Sequence, residues 1–299
     1  MFISVVIPAF NRGEKLSQTL EPLLAQDYAD YEIILSDDGS TDNTPEIAAR
    51  YPRVIYVRQE NRGPAAARNR GIARARGDVI AFTDDDCRVP RDWLARLADG
   101  YARYPQVAGV GGYLDPPEEI VARNSFARYE RFVTRELYRQ GNVERVGGLA
   151  DYPAGGTSNM SYRKMILDQV GGFDEWFPYP AAEDHDLRVR VHALGYVLLY
   201  LPLRVEHLRA YAFRSFAWQS ITRGRGVARW EYKTNGRRAT SYPRIASRFV
   251  KRALQLFPDV ITFDDKRMAL IHCLGNCLDA YGQWLERRQL GRMENPMSR

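Results

Sequence analysis

VIAFTDDDCRVP, residues 79–90, is the segment from which both the architecture and the chemistry of this chain are inferred. Its apolar half is followed by three consecutive carboxylates, Asp84, Asp85 and Asp86. A short apolar run that ends in polar residues predicts a strand covered on both faces, as in a parallel sheet. Carboxylate oxygens suit Mg²⁺ or Mn²⁺, and a divalent ion would relieve the repulsion between these charges. The alternative is an exposed acidic turn that caps a helix starting near Pro90, but the position after a buried strand favours the metal site.

Upstream of this segment the chain alternates between strand-like and helix-like patterns. Three apolar runs predict strands: FISVVIP at 2–8, YEIILS at 31–36 and VIYV at 54–57. Leucines at helical spacing in residues 14–26 and a Thr44-Pro45-Glu46 helix start lie between these runs. Repeated strand–helix–strand units predict an α/β fold with a doubly wound, mostly parallel central sheet.

Polar segments follow three of the predicted strands, and the ligands of such sheets bind beyond the carboxyl ends of the strands. The segments are PAFNR at 8–12, DDGSTD at 37–42 and TDDDC at 83–87. Asp38 is a candidate acceptor for a ligand N–H, and Gly39 permits a turn with positive φ. A plain turn in which Asp and Ser satisfy backbone groups is the alternative. We expect Asp38 and the carboxylates at 84–86 to share one crevice.

The acidic cluster itself carries a directional expectation. Successive side chains of an extended strand point to opposite faces. Asp84 and Asp86 are therefore expected to point the same way, and Asp85 to point elsewhere. Arg68 follows a predicted helix start at Pro64, where an anion is favoured. It is a candidate contact for a diphosphate, with a surface arginine as the alternative.

Two candidates for the site lie further along the chain. Residues 181–196 predict a helix whose buried stripe is Leu187, Val191 and Leu194. Asp184 lies near its start on the inward face and is a candidate general base, with compensation of the helix dipole as the alternative. His207 becomes a metal ligand if the chain returns it to the carboxylates.

Downstream of about residue 210 the pattern is wholly helical. The candidate helices are residues 213–232, 244–257 and 266–290. We therefore predict two parts, residues 1–210 with the sheet and residues 211–299 as a helical extension. Acceptor choice is expected to depend on this extension and on a glycine-rich loop at 152–161.

The composition bounds the class of protein. The chain has 299 residues, 45% of them hydrophobic and 27% charged, as in a soluble globular protein. Three cysteines, Cys87, Cys273 and Cys277, offer no disulfide framework and indicate a reducing compartment. The stretch MFISVVIPAFNR lacks the features of a signal peptide, and no apolar run reaches the roughly 18 residues of a spanning helix. We expect a cytoplasmic protein, with a peripheral position at the inner face of the membrane as a further expectation.

The net charge of +6 is unevenly distributed. Thirteen arginines and lysines lie between Arg204 and Arg252, opposed by Glu206 and Glu231. Aromatic residues such as Trp218 are interleaved with them. One interpretation is a solvated helical face, and the other is a surface for phosphates, acidic glycans or anionic lipid.

Six motifs stand in the order seen in the family 2 glycosyltransferases, which this chain resembles over residues 1–210. They are VVIPAFNR at 5–12, SDDGSTDNT at 36–44, NRGPAAARNRGI at 61–72, GDVIAFTDDDCRVPRDWL at 77–94, GGFDEWF at 171–177 and EDHDLRVRVHALGY at 183–196. The resemblance implies the GT-A fold and an inverting, nucleotide-sugar-dependent enzyme. Residues 211–299 would then contact the acceptor, a membrane or a second copy of the chain.

The resemblance also implies roles for residues that bind the donor. Asp38 would read the nucleobase in a pocket lined by Pro8 and Ala9. Asp85 would contact the ribose or the sugar. Arg68 remains a candidate contact for the diphosphate.

The remaining roles concern the metal and the chemistry. Asp86, with Asp84 near it, would bind Mn²⁺ or Mg²⁺, and His207 would complete the metal site. Asp184 would match the catalytic base. The family often has a further aspartate where this chain has Cys87.

The implied reaction moves a sugar from a nucleoside diphosphate sugar, of the UDP, GDP or dTDP type, to a hydroxyl of a glycan or lipid-linked acceptor. Such a reaction belongs to glycan or polysaccharide biosynthesis. The metal would stabilise the leaving diphosphate, and attack from the opposite face would invert the configuration. Nucleic acid is not an expected partner, and a homo-oligomer stays an open alternative.

Two other functions compete with this interpretation. A non-catalytic nucleotide-binding module with a basic tail that docks on a membrane or nucleic acid would have no need of an inward base such as Asp184. A sugar nucleotidyltransferase would be expected to have a glycine-rich phosphate loop near the first strand, whereas PAFNRGEK has only Gly13.

Overall fold

The apolar run at the N-terminus forms the first strand, β1 (Ile3–Ala9), and every residue of it is buried. Ile3, Val5 and Ile7 face one apolar core, whereas Val6 faces another. Because successive side chains of a strand point to opposite faces, a strand covered on both sides needs apolar residues throughout. The buried strand predicted here is confirmed.

The sheet contains nine strands among the described residues. They are β1 Ile3–Ala9, β2 Tyr31–Asp37, β3 Val54–Arg58, β4 Val79–Phe82, β5 Cys87–Arg88, β6 Gly109–Asp115, β7 Arg145–Gly147, β8 Met160–Arg163 and β9 Leu198–His207. Their order is β3-β2-β1-β4-β8-β6-β9-β5, with β7 also paired to β9. Strands β3, β2, β1 and β4 are parallel, as are β6 and β9. β8 is antiparallel to β4 and β6, and the short β5 and β7 are antiparallel to β9.

Helices connect these strands and cover both faces of the sheet. They are α1 Gly13–Leu24, α2 Thr44–Ala48, α3 Pro64–Arg74, α4 Trp93–Arg103, α5 Glu118–Val121, α6 Ser125–Phe132, α7 Lys164–Val170, α8 Glu183–Ala193, α9 Phe213–Asn235 and α10 Lys266–Glu294. Helices α1, α2 and α4 pack in the first core, through residues such as Leu20 and Trp93. Helices α3, α7 and α8 pack in the second, through residues such as Ile72 and Leu187. The predicted α/β fold with a doubly wound, mostly parallel sheet is confirmed.

One helix differs from its prediction. Leu187 and Val191 are fully buried in α8, but Leu194 is 47% exposed. The helix ends at Ala193 and Gly195 has a φ of 84°. Leu194 therefore lies beyond the last turn and is not on the buried stripe, so its predicted burial is wrong.

The computed structural model describes residues 1–148, 156–209, 211–236 and 266–294. The predicted helix at 244–257 and part of the predicted acceptor loop at 152–161 lie outside these residues. The chain forms two compact units. Unit 1 comprises Met1–Pro117, Arg131–Pro178 and Asp184–Arg209, and unit 2 comprises Glu118–Glu130, Tyr179–Glu183 and Ala210–Arg299.

Unit 2 contains the long helices α9 and α10, whose backbones approach closely. A Cβ added at Gly224 would lie 1.8 Å from the carbonyl oxygen of Asp279, and one at Gly282 would lie 2.0 Å from that of Ile221. Glu286 is buried between the two helices and accepts hydrogen bonds from Arg225 and Arg229. Within the described ranges, no helix combines the length and the apolar character that crossing a membrane requires.

Candidate active site

The carboxylates at 84–86 lie in a turn that directly follows β4. The strand ends at Phe82, and the backbone N–H of Cys87 donates to the carbonyl of Asp84 at 3.2 Å. Asp85 and Asp86 contact the same guanidinium, whereas Asp84 contacts a different one. The expectation that Asp84 and Asp86 point together is therefore wrong, because a turn does not keep the alternation of a strand.

The burial of this turn decides between the two interpretations of the acidic cluster. Asp85 and Asp86 are 7% and 6% exposed. The following helix, α4, begins at Trp93 rather than near Pro90. An exposed acidic turn that caps a helix is thus excluded, and the two buried charges require compensation.

Arg12 supplies part of this compensation. Its Nε lies 3.1 Å from Asp85 Oδ1, and its Nη2 lies 3.4 Å from Asp86 Oδ2. The backbone N–H of Phe10 donates to Asp85 Oδ2 at 3.3 Å. Burial and the neighbouring Asp86 nevertheless raise the pKa of Asp85 to about 8. Arg12 was not predicted as a site residue, and the sequence signal that points to it is its place directly after the first strand.

Asp86 also contacts His207, which the fold returns from a distant part of the chain. β5 and β9 pair so that Cys87 is opposite His207. His207 Nε2 lies 3.4 Å from Asp86 Oδ1, and the Leu208 N–H donates to the Asp86 carbonyl at 2.7 Å. Burial opposes charge on both side chains, but their attraction raises the pKa of His207 and lowers that of Asp86. The condition set for His207, that it meet the carboxylates, is fulfilled.

Asp86, Cys87 and His207 each offer a ligand atom, and these atoms lie within 4.8 Å of one another. Burial and the charges of Asp84 and Asp86 raise the pKa of the Cys87 thiol well above its ordinary value. Thiolate sulfur suits softer metal ions, whereas Mg²⁺ and Mn²⁺ prefer harder donors. A carboxylate oxygen and an imidazole nitrogen are therefore the donors that suit an ion here.

Asp84 is held by a second set of contacts. Its Oδ1 lies 3.0 Å from Nη2 of the buried Arg68, and its Oδ2 accepts a short hydrogen bond from the Ser158 hydroxyl. The Arg68 guanidinium lies over the ring of Phe173, 5.6 Å from its centroid. Arg68 is therefore a buried partner of Asp84 and not a surface arginine.

Asp184 lies in the first turn of α8, close to Gly156. Its Oδ1 accepts from the His185 N–H at 2.7 Å. A Cβ at Gly156 would come within 2.9 Å of its Oδ2. Ser158, which binds Asp84, is two residues from Gly156. Since two residues span roughly 7 Å at most, Asp84 and Asp184 contact one short segment.

Asp38 orders the loop between β3 and α3. Its Oδ1 accepts from Gln59 Nε2 at 2.8 Å and from the Arg62 N–H at 2.9 Å, and its Oδ2 accepts from the Gly63 N–H at 2.8 Å. These contacts account for Asp38 without a ligand. They also give Gln59 a place in the site that sequence reasoning missed, because its partner is a loop contact of long sequence separation.

The end of β1 connects Asp38 to the acidic turn. The Asp38 N–H donates to the carbonyl of Ala9 at 2.8 Å, and the next residue, Phe10, donates to Asp85. Pro8 and Ala9 are buried at this strand end. These contacts bring Asp38 and the acidic turn to the same end of the sheet. An adjoining cavity of about 560 Å³ is lined by Gly39, Arg58, Gln59, Glu60 and Asn61.

Similarity to known proteins gives the family of this chain. A family model described as Glycosyl transferase family 2 matches residues 4–170, more than half of the chain. The chain belongs to this family.

Curated relatives carry glycosyltransferase names. Glycosyltransferase AglE of Haloferax volcanii is 37% identical over 181 residues, which cover 58% of this chain and 56% of AglE. The glucosyl-dolichyl phosphate glucuronosyltransferase of the same organism is 31% identical over 183 residues, with 58% and 56% covered. Validoxylamine A glucosyltransferase of Streptomyces hygroscopicus is 31% identical over 218 residues, which cover 64% of this chain and 52% of that protein. The chain thus matches little more than half the length of these relatives.

Solved structures show the fold. The mannosyltransferase PcManGT of Pyrobaculum calidifontis, in complex with GDP-Man and Mn²⁺, has a TM-score of 0.66 at 18% identity, covering 95% of this chain and 87% of its own. S. aureus TarS in complex with UDP has a TM-score of 0.55 at 16% identity, covering 97% and 92%. The GT-A fold implied by the sequence motifs is confirmed.

Proposed function

We propose that this protein is an inverting glycosyltransferase that moves a sugar from a nucleoside diphosphate sugar to an acceptor hydroxyl with the help of a divalent metal ion. The observation that carries the proposal is the pair formed by Asp86 and His207 beside the buried Asp85. A binding site for nothing but a neutral ligand has no need of buried carboxylates at the carboxyl end of a sheet. Membership of the family supports the same reaction class.

The donor atoms support Mn²⁺ or Mg²⁺ as the ion. Asp86 offers carboxylate oxygen and His207 offers imidazole nitrogen, 3.4 Å apart, and oxygen-rich sites suit these ions. Asp84 contacts Arg68 and Ser158 instead of this pair, so we assign it a supporting role at the metal site through its charge. When bound, the ion neutralises the diphosphate and assists its departure.

Asp184 acts as the general base in this proposal. It accepts the proton of the acceptor hydroxyl as that oxygen attacks the anomeric carbon from the face opposite the diphosphate. The bond between the anomeric carbon and the diphosphate oxygen breaks, and the configuration inverts. Gly156 lies close to this carboxylate, and an added Cβ would come within 2.9 Å of Asp184 Oδ2, so a side chain at position 156 would press on the proposed base.

The nucleoside binds along the end of β1. We assign the base to Asp38, Pro8 and Ala9, the ribose or sugar to Asp85, and the diphosphate to the neighbourhood of Arg68. The loop contacts of Asp38 keep its carboxylate fixed, and the adjoining cavity of about 560 Å³ supports space for a base.

The division of labour along the chain is part of the proposal. Residues 1–210 form the catalytic domain, and residues 211–299 form a helical extension that contacts a glycan or lipid-linked acceptor. We propose a cytoplasmic protein that works in glycan or polysaccharide biosynthesis.

The test is a panel of UDP, GDP and dTDP sugars with glycan and lipid-linked acceptors, in Mn²⁺, in Mg²⁺ and in a chelator. The expected result is metal-dependent release of nucleoside diphosphate with the sugar recovered on the acceptor, in the inverted anomeric configuration by NMR. Pyrophosphate turnover would identify a nucleotidyltransferase instead. Binding of sugar nucleotides without any turnover would identify a binding module.

A further inference from the structure

The side chain of Arg12 contacts Asp86, a carboxylate of the proposed metal site, and its neighbour Asp85. Its guanidinium spans Asp85 and Asp86, at 3.1 Å and 3.4 Å. Arg12 itself is partly exposed, with 40% of its side chain accessible, whereas the side chains of Asp85 and Asp86 are 10% and 8% accessible. A half-exposed guanidinium thus contacts two buried carboxyl groups.

The backbone that carries Arg12 is held firmly in place. Asn11 has a φ of 55°, and its Oδ1 accepts from the Thr41 N–H at 2.8 Å. The Arg12 N–H donates to Thr44 Oγ1 at 3.0 Å. At Gly13 an added Cβ would come within 1.9 Å of Asn43 Oδ1. The main chain around Arg12 is therefore held by several contacts, so any displacement of the guanidinium would come from rotation of the side chain.

Two positive charges cannot share one carboxylate without cost. A guanidinium and a divalent ion that both contact Asp86 would repel each other at short range. Metal binding at Asp86 therefore requires the guanidinium to withdraw. A withdrawn guanidinium keeps a favourable partner if an anion is close by, and diphosphate oxygens accept from the planar fork of an arginine.

We propose that Arg12 competes with the divalent ion for Asp86, and that a nucleoside diphosphate relieves this competition by offering the guanidinium a replacement anion. Arg12 is thereby a positioning residue that makes metal and nucleotide bind as a pair. By linkage, the nucleotide strengthens metal binding by the same factor as the metal strengthens nucleotide binding. This inference rests on the metal-dependent function proposed above.

The test compares the wild type with Arg12→Gln, which removes the charge and keeps a polar side chain. Affinity for Mn²⁺ is measured by calorimetry and by the EPR signal of free Mn²⁺, first without nucleotide and then with saturating GDP or UDP. Couplings between sites are commonly 5–150-fold, so without nucleotide we expect Arg12→Gln to bind Mn²⁺ at least about fivefold more tightly than the wild type. With nucleotide, the two proteins are expected to differ less, because the competition has been relieved.

Two further variants complete the design. Arg91→Gln removes the same charge from an exposed pair with Asp27 and is expected to leave Mn²⁺ affinity unchanged. Arg12→Lys keeps the charge but cannot bridge two carboxylates with a fork, so its Mn²⁺ affinity without nucleotide is expected to fall between those of the wild type and Arg12→Gln. If Arg12→Gln does not fold, as judged by circular dichroism, the lysine variant carries the test.

The outcomes separate this inference from the function it rests on. If Mn²⁺ binds the wild type but Arg12→Gln or, failing that, Arg12→Lys binds it no more tightly, the competition is refuted while metal dependence stands. If neither the wild type nor any variant binds Mn²⁺, even with GDP or UDP, both proposals fail. Tighter binding in the glutamine variant together with a reduced effect of nucleotide supports the inference, because a purely structural role for Arg12 would weaken the site.

Discussion

The proposed role of Asp184 depends on a carboxylate oxygen that can accept a proton. Replacing it with asparagine keeps the size of the side chain but removes the ability to accept a proton. We expect Asp184→Asn to bind the sugar nucleotide as the wild type does and to lose transfer by about 10²–10⁴-fold. Calorimetry with the donor and the rate of nucleoside diphosphate release with acceptor measure the two effects separately.

The control for this prediction is Asp168→Asn. Asp168 lies on α7 in an exposed pair with Lys164, so the same change of atoms there should leave both quantities as they are. Retention of more than about a tenth of the wild-type rate in Asp184→Asn would remove this residue from the role of base.

At the scale of residues, the sequence predicts which residues belong to the site better than it predicts which of them contact one another. The family resemblance pointed to Asp86 and His207, and the two side chains do meet, at 3.4 Å. Arg12 was missed because its contacts with Asp85 and Asp86 join residues more than seventy positions apart and depend on how two turns face each other. Asp84 was assigned the wrong direction because strand alternation stops where the strand stops, at Phe82.

Among the secondary-structure elements, Glu32 joins three segments of the sheet at the end opposite the site. Glu32 on β2 is opposite Ser4 on β1 and accepts from its hydroxyl at 2.6 Å. It also accepts from the backbone and the guanidinium of Arg76, in the connection to β4, at 2.8 Å each. Burial acts to raise the pKa of Glu32, but these donors outweigh it and lower the pKa below 4.5.

A lowered folded-state pKa means that the ionised carboxylate contributes stability above its unfolded pKa and loses it as the pH falls through the folded value. We expect Glu32→Gln to reduce the free energy of unfolding at pH 7 by about 1–3 kcal/mol, and the difference from the wild type to shrink below about pH 4. Urea unfolding across this pH range measures both. Glu21→Gln, at an exposed glutamate on α1, should show neither effect, and a pH-independent loss in Glu32→Gln would contradict the electrostatic explanation.

The close approach of α9 and α10 predicts opposite effects for two similar substitutions. At Gly224 a Cβ would meet the carbonyl oxygen of Asp279 at 1.8 Å, so the helix backbones would have to separate. We expect Gly224→Ala to destabilise the protein by about 1–3 kcal/mol. Gly291 lies in α10, and a Cβ there meets nothing within 4 Å. Gly291→Ala should therefore stabilise the protein by up to about 1 kcal/mol.

Thermal unfolding followed by circular dichroism measures this pair. A rise in Tm for Gly224→Ala equal to that for Gly291→Ala would show that helix propensity alone acts at both positions. A fall at Gly224 with a rise at Gly291 would establish the close contact.

The elements themselves divide into those that local pattern predicts and those that tertiary pairing creates. The apolar runs of β1, β2, β3 and β4 identify themselves, because a strand buried on both faces has no polar position. The two-residue β5, Cys87–Arg88, exists through its pairing with β9, and nothing in so short a segment signals a strand. The pairing of β6 with β9 shifts register between Gly111 and Tyr113, and this irregularity also depends on tertiary contact, since a Cβ at Gly112 would lie 2.1 Å from the carbonyl oxygen of Leu203.

At the scale of the whole molecule, the family and the GT-A fold follow from the sequence because several motifs occur in one order. The identities of the donor sugar and of the acceptor do not follow from these motifs. The basic C-terminal part is a proposed acceptor contact, and its residues 237–252 lie outside the described residues. Among the described residues of α9, Phe213 and Trp218 are 56% and 57% exposed, and Arg214 lies one helical turn before Trp218.

Exposed aromatic and basic side chains on one helix suit the interface of an anionic membrane. We expect the protein to sediment with anionic vesicles at low salt, to bind them less at high salt, and to bind neutral vesicles weakly. Each basic residue near the surface contributes about 1 kcal/mol to such binding, and screening removes this attraction as the Debye length shortens. Trp218→Ser should weaken the binding further, since it removes the largest exposed aromatic side chain of α9.

The matched control is Tyr138→Ser, which removes a side chain that is 59% exposed in unit 1. It should bind vesicles as the wild type does if α9 is the contact surface. Equal weakening of vesicle binding by the two substitutions would indicate nonspecific adsorption through exposed aromatic residues. Negligible binding to both kinds of vesicle at low salt would contradict a membrane contact and favour an acceptor in solution, because charge attraction is strongest under that condition.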